Sequence, residues 1–218
     1  TINAINTVNQ LRKVAIGGRI DADLFQLLQQ EKNRAALRRA LMESCFSSEA
    51  ISALMNQAAI HAESYSYNQE LLLKAHQPLV KEVVASDKYR PISRNQGFRS
   101  AVVTTYDHRC SLCGIRIVTS EGHTAVDAAH VVPWSKTQND DIRNGMALCK
   151  ICHWAFDEGM LGVSEGYTVI NSWQLTLESN IPGVLQSSLG RKIIVPDDKA
   201  LWPEQEYLHW HRREYGLV

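Results

Sequence analysis

Two Cys-x-x-Cys pairs, Cys110/Cys113 and Cys149/Cys152, are separated by the 35 residues 114–148 in a chain with only one further cysteine, Cys45. Paired knuckles of this spacing clamp one tetrahedral zinc ion, with four thiolates at roughly 2.3 Å and no coordination position left for a substrate. Both ends of the intervening segment are then tied to one point, so a hairpin must fit between them. Gly114, directly after the first pair, suits the tight turn of a knuckle. The competing reading, a redox dithiol, needs only one pair and usually a thioredoxin-like βαβ setting that the pattern lacks. The expectation is a structural zinc held by all four cysteines.

With 218 residues the chain can bury a substantial core in one or two domains. Lys+Arg and Asp+Glu are both 23, so overall charge gives no argument for a polyanionic partner and any basic surface must be local. No apolar run reaches the roughly 18 to 20 residues that cross a bilayer, and the start of the chain lacks a signal-peptide pattern. No membrane association is expected. Cysteines in metal-knuckle spacing fit a reducing compartment, which makes a cytoplasmic protein the expectation. The chain opens on Thr1, as a processed protein or a piece of a longer one would.

The helical signal begins at Asp21. Leu24, Leu27 and Leu28 share a face, Asn33 is a candidate N-cap, and Leu37, Leu41 and Cys45 recur at intervals of four. This places Cys45 on an apolar stripe as a small buried hydrophobe. Ser47 or Ser48 can cap the next helix, whose core-facing stripe is predicted at Ile51, Leu54, Met55 and Ala58. A further helix is predicted over 69–75, ended by Pro78. Residues 1–20 show only weak alternation and a Gly17-Gly18 turn signal. Residues 85–100 read as an exposed connector, and the division is placed there: a mainly helical region over 1–85, serving DNA binding, dimerisation or scaffolding, and a second domain over 86–218.

Between Lys88 and Arg116 six basic residues face the single acid Asp107, with Tyr89, Phe98 and Tyr106 interleaved. Such a stretch suits phosphate contact, and Arg94, Arg99, Arg109 and Arg116 are its candidate DNA-binding residues. A basic solvated linker is the plainer alternative.

Residues 124–134 read as a strand of small and β-branched residues ending at Pro133. On it Asp127 and Ala129 point one way, Ala128 and His130 the other. Residues 139–145 then form a turn, Met146 to Leu148 a return strand, and Cys152-His153-Trp154-Ala155-Phe156-Asp157 opens a helix with His153 and Asp157 on one face. Trp134, Trp154 and Phe156 are expected to pack around the hairpin.

The Ala-Ala-His130-Val-Val-Pro-Trp strand, the Ile-Arg-Asn144-Gly-Met-Ala-Leu-Cys turn and strand, and the Cys-His153-Trp-Ala-Phe-Asp157-Glu-Gly helix start resemble the HNH, or ββα-metal, endonuclease family, in its zinc-stapled subset. The tail, through Gly190-Arg-Lys-Ile-Ile-Val-Pro and Leu208-His-Trp-His211-Arg, resembles that of bacterial predicted HNH restriction endonucleases. The resemblance implies an α+β fold: a helical N-terminal region followed by a treble-clef-like ββα-metal domain. It implies hydrolysis of DNA phosphodiesters, with His130 as general base, His153 as ligand of a catalytic Mg²⁺ or Mn²⁺, and Asn144 holding the loop that orients His130. Restriction is the implied role and DNA the implied partner, with a homodimer expected because one such site cuts one strand. Many members carry a metal-binding side chain directly before the general base, where this chain has Ala129. Asp127 and Asp157 are the two candidates for that missing ligand. A zinc-stabilised DNA-binding module without catalysis is the alternative function.

Overall fold

A computed structural model describes residues 18–79 and 88–217. The expected division at residue 85 and most of the weakly patterned start lie outside the described residues. The chain separates into two compact units, 1–56 and 57–218.

In the first unit, Asp21 caps helix α1 (Ala22–Leu28) by accepting from the Asp23 amide, and α2 spans Glu31–Cys45. Asn33 lies inside α2, and Gln30 occupies its N-cap without a side-chain bond. Ser47 starts the following helix, its hydroxyl accepting from Ala50 N at 3.4 Å. The predicted stripes are on helices, but Leu24, Leu27, Leu37, Leu41, Leu54 and Met55 are exposed, and so is Cys45. Periodicity marks the face a helix offers for burial, and burial needs a partner as well.

Helix α3 runs unbroken over Ser48–Ala75. The predicted separate helix over 69–75 is its last two turns, because no glycine or proline interrupts 48–75. Its buried stripe is Ile60, Ser64, Tyr67, Asn68, Leu71 and Ala75, at helical spacing but further along than expected. The second part of the expected connector is also helical: α4 spans Pro91–Thr105. Pro91 occupies the first helical position, where its missing amide costs nothing. Ser93, Gly97, Phe98, Ala101, Val102 and Val103 are buried on α4, a pattern that turn-forming residues in its first half disguise.

Strand β1 (Val126–His130) pairs antiparallel with β2 (Gly145–Cys149), with Val126 opposite Cys149 and His130 opposite Gly145. Helix α4 packs against both strands. A Cβ on Gly145 would lie 2.6 Å from Val102 Cγ2 and 3.0 Å from Phe98 Cζ, so only glycine lets the helix come this close. Strand β2 runs directly into α5 (Lys150–Asp157), after a short turn of helix at 134–137 and a 3₁₀ turn at Ile142–Asn144 in the hairpin loop. A second hairpin follows, β3 (Leu161–Val163) and β4 (Val169–Asn171), and α6 (Gln205–Glu214) packs on β3. Among the described residues no helix is long and apolar enough to cross a membrane.

Candidate active site

The ββα element β1–β2–α5 with its hairpin loop carries His130, Asn144, His153, Asp157 and two of the four cysteines. Cys110 and Cys113 precede it, Cys149 ends β2, and Cys152 lies one turn into α5, so the four sulfurs meet within 4.8 Å of one another. Cys113 Sγ and Cys149 Sγ are 3.7 Å apart, close to the roughly 3.8 Å edge of a tetrahedron with 2.3 Å metal–sulfur bonds. The first knuckle is a tight turn, Gly114 N donating to Cys110 O at 2.9 Å with Gly114 at φ +80°, a conformation glycine alone adopts freely. Hydrogen bonding within the cluster splits the four thiols: it lowers Cys110, first through Cys113, to about 7 and pulls Cys149 down, while it pushes Cys113 and Cys152 up. Donor type and spacing fit a bound metal ion.

The loop between the strands is closed by Asn144, which is fully buried. Its Oδ1 accepts from Val132 N at 2.8 Å, and its Nδ2 donates to Val132 O and Asn139 O, each at 3.0 Å. Residue 144 thus grips the chain directly after His130. The His130 ring stacks on Phe98 of α4, centroids 4.1 Å apart and planes 7° from parallel. Its Nε2 lies 2.8 Å from Asp140 Oδ1. The other Asp140 oxygen accepts from Tyr67 OH at 3.0 Å and faces Arg94 Nε at 3.2 Å. Burial, together with the Asp140 carboxylate, raises the Tyr67 hydroxyl well above its ordinary range and keeps it a donor.

His153 and Asp157 lie one turn apart on α5, Nε2 and Oδ2 separated by 3.4 Å. Partial loss of hydration raises the Asp157 carboxyl above its usual value, against the opposing pull of His153. Together with Ala128, His130, Pro133, Trp134 and Tyr215 these two residues line an open cavity of about 380 Å³. A larger cleft of about 520 Å³, along α6 at Glu206, His209, Trp210, Arg213 and Glu214, contains none of the predicted site residues.

The structure brings His130, His153 and Asp157 to one cavity and leaves Asp127 outside it. Asp127 is turned to the far face of β1, where Oδ1 accepts from Arg99 Nε at 2.7 Å. The four candidate DNA-binding arginines all face carboxylates. Arg99 meets Asp127, while Arg109 and Arg116 converge on Asp107 at 3.5 and 3.2 Å and stay half-exposed. Arg94 is nearly enclosed, lying over the Trp134 ring at 4.1 Å and against Asp140. Trp154, expected in the packing around the hairpin, is 53% exposed, while Phe156 is buried. Asp140 was invisible to sequence reasoning, because its meeting with His130 depends on closure of the 131–144 loop.

Residues 110–164 match the HNH endonuclease family. This segment is an HNH endonuclease domain. A solved chain described as "Modification dependent TagI restriction endonuclease" is similar at TM-score 0.39 and 23% identity, over 54% of this chain and 36% of that one. The present chain thus spans about a third of that structure's length. A search of curated proteins gave no match. The matched HNH segment contains all four clustered cysteines together with His130, Asn144, His153 and Asp157.

Proposed function

We propose that the chain is a metal-dependent endonuclease that hydrolyses DNA phosphodiesters to 5′-phosphate and 3′-hydroxyl ends. The observation that carries this is the convergence of His130, His153 and Asp157 on one open cavity inside the HNH domain. A neutral imidazole near pH 7 can take a proton from water. In the proposed reaction a water O–H bond breaks and its proton passes to His130. The water oxygen bonds to phosphorus, the P–O3′ bond breaks, and the departing oxygen takes a proton from solvent. His153 and Asp157 are the residues that would hold Mg²⁺ or Mn²⁺. Such an ion supplies Lewis-acid stabilisation of the charge that develops on the phosphate and the leaving oxygen. The carboxylate oxygen is the donor type that Mg²⁺ and Mn²⁺ favour, the imidazole nitrogen the softer partner, and two protein ligands would leave positions for water and phosphate. Asp157 takes precedence over Asp127, which is engaged by Arg99 on the other face of the strand.

In the same proposal Zn²⁺ occupies the four-cysteine cluster and Asn144 holds the loop behind His130. Arg99, Arg109 and Arg116 flank the DNA path by exchanging their carboxylate partners for phosphates. Restriction is the proposed role. A homodimer is the proposed state for cutting both strands. The test is nicking of supercoiled plasmid with Mg²⁺ or Mn²⁺ by native protein, His130→Ala and His153→Ala. Native cleavage that both variants lose by about 10²-fold or more is expected. Cleavage by His130→Ala at the native rate overturns the assignment of the base. DNA binding with no cleavage under either metal points instead to a binding module.

A further inference from the structure

We infer that Asp140 is a positioning residue for His130: it fixes the ring in the Nε2–H tautomer, so that Nδ1 carries the lone pair that accepts the water proton. The inference rests on the proposed role of His130 as general base and adds the group that sets which nitrogen acts.

The argument is one of donors and acceptors. A carboxylate only accepts hydrogen bonds, so the 2.8 Å contact between His130 Nε2 and Asp140 Oδ1 requires the proton on Nε2. Asp140 is in turn surrounded as an anion should be. Its second oxygen accepts from the Tyr67 hydroxyl of α3 at 3.0 Å and faces the Arg94 guanidinium of α4 at 3.2 Å. Arg94 is itself held over the Trp134 ring at 4.1 Å. Asp140 is 5% exposed, so water competes little for either oxygen. The stack of Phe98 on His130 at 4.1 Å blocks the ring from tilting out of this arrangement. Three elements therefore meet on one imidazole: the hairpin loop supplies the acceptor, α3 and α4 orient it, and α4 closes the face. Asp140 takes up no proton in this scheme. After transfer to Nδ1 the ring is an imidazolium whose Nε2–H still points at the carboxylate, which stabilises that cation as it forms.

Two measurements on the zinc-loaded protein test this. Nitrogen-15 NMR of the imidazoles, with the His130 signals assigned by their loss in His130→Ala, reads the tautomer directly. The native ring is expected as Nε2–H with an unprotonated Nδ1, and Asp140→Asn is expected to mix the two tautomers. Plasmid cleavage by Asp140→Asn is expected to keep KM for DNA near native and to lose kcat by about 10²-fold or more, the size of a general-base contribution. A native His130 in the Nδ1–H form overturns the inference even if the variant fails to fold. Native kcat in a folded Asp140→Asn overturns it as well. If His130→Ala cleaves at the native rate, the assignment of the base fails first, an outcome distinct from either of these.

Discussion

At the scale of single residues, Asn144 concentrates more of the site's geometry than any group that would touch substrate. One amide side chain satisfies Val132 N, Val132 O and Asn139 O from a position without solvent access. Asn144→Ala leaves all three buried groups without this partner. A buried polar group stripped of its bond costs about 1–3 kcal/mol, so the variant is expected to lose about 3 kcal/mol or more in urea unfolding and to cleave poorly because residues 131–132 no longer hold His130. Asn144→Asp tests the donors separately, since its second oxygen would face two carbonyls; its loss of stability is expected to be similar. A variant as stable as native would show that water replaces the amide. The placement of His130 on a strand, Asn144 in a turn, and His153 and Asp157 on a helix was legible in the sequence because each sits in a local pattern, whereas their proposed roles came from the family resemblance. The choice between Asp127 and Asp157 was open there. Strand alternation had placed Asp127 opposite to His130, and the Arg99 contact now gives it a different partner. Asp140 is the reverse case. Its neighbours Tyr67, Arg94 and His130 come from three separate segments, which no local spacing can bring together.

At the scale of elements, the contact between α5 and α6 supports the helix that carries His153. His211 of α6 stacks on Phe156 of α5 with centroids 3.7 Å apart, and its Nε2 donates to Phe156 O at 2.9 Å. Arg212 donates to Val163 O of β3 at 2.7 Å in the same buried seam. Burial lowers the His211 pKa to about 4, against an ordinary value of 6.5. The ring is thus neutral in the fold and more basic in the unfolded chain. Unfolded protein then binds the extra proton as pH falls below about 6.5, so stability is expected to drop from there and to level off near pH 4. The contribution is on the order of 3 kcal/mol over that window, from about 1.4 kcal/mol per pKa unit. His211→Phe keeps the stacked ring and removes the titration. Although it also loses the bond to Phe156 O, its melting temperature is expected to fall less steeply than native between pH 6.5 and 4. Parallel slopes would remove His211 as the cause. The tail sequence around Leu208 and His211 offered a family likeness but no partner for the histidine. Likewise α4 read as a connector because Pro91, Ser93, Asn95 and Gly97 are turn formers by composition, and its burial becomes visible only once β1 and β2 lie against it.

At the scale of the molecule, the ββα element is too small to hold itself. β1 and β2 have five residues each and α5 has eight, and isolated elements of that size are marginal in water. Two other supports converge on the cysteine cluster: α4 against both strands, and the tail, where Ile194 N donates to Ser111 O and Ser111 Oγ to Ile194 O, each at 2.8 Å. With the proposed zinc bound, the four cysteines would join the start of this arrangement to its middle, closing a loop of about 40 residues whose closure entropy the unfolded chain would otherwise keep. Zinc held by such ligands in finger peptides contributes on the order of 10–16 kcal/mol, comparable to the whole stability of a domain. Removing it should therefore unfold the unit 57–218 rather than merely inactivate it. All five tryptophans, Trp134, Trp154, Trp173, Trp202 and Trp210, lie in that unit, so their near-ultraviolet circular dichroism and emission report on it alone. A strong chelator, or Cys149→Ser, is expected to flatten the near-ultraviolet signal, shift emission to the red and abolish the cooperative melt. Stoichiometric Zn²⁺ should restore chelated native protein, and Mg²⁺ should not. Withdrawal of Mg²⁺ alone should stop cleavage while leaving the melt intact, because His153 and Asp157 are held by α5 whether or not an ion is bound. A cooperative melt that survives complete removal of zinc would show that α4 and the tail suffice to hold the hairpin, and the cysteines would then need another explanation.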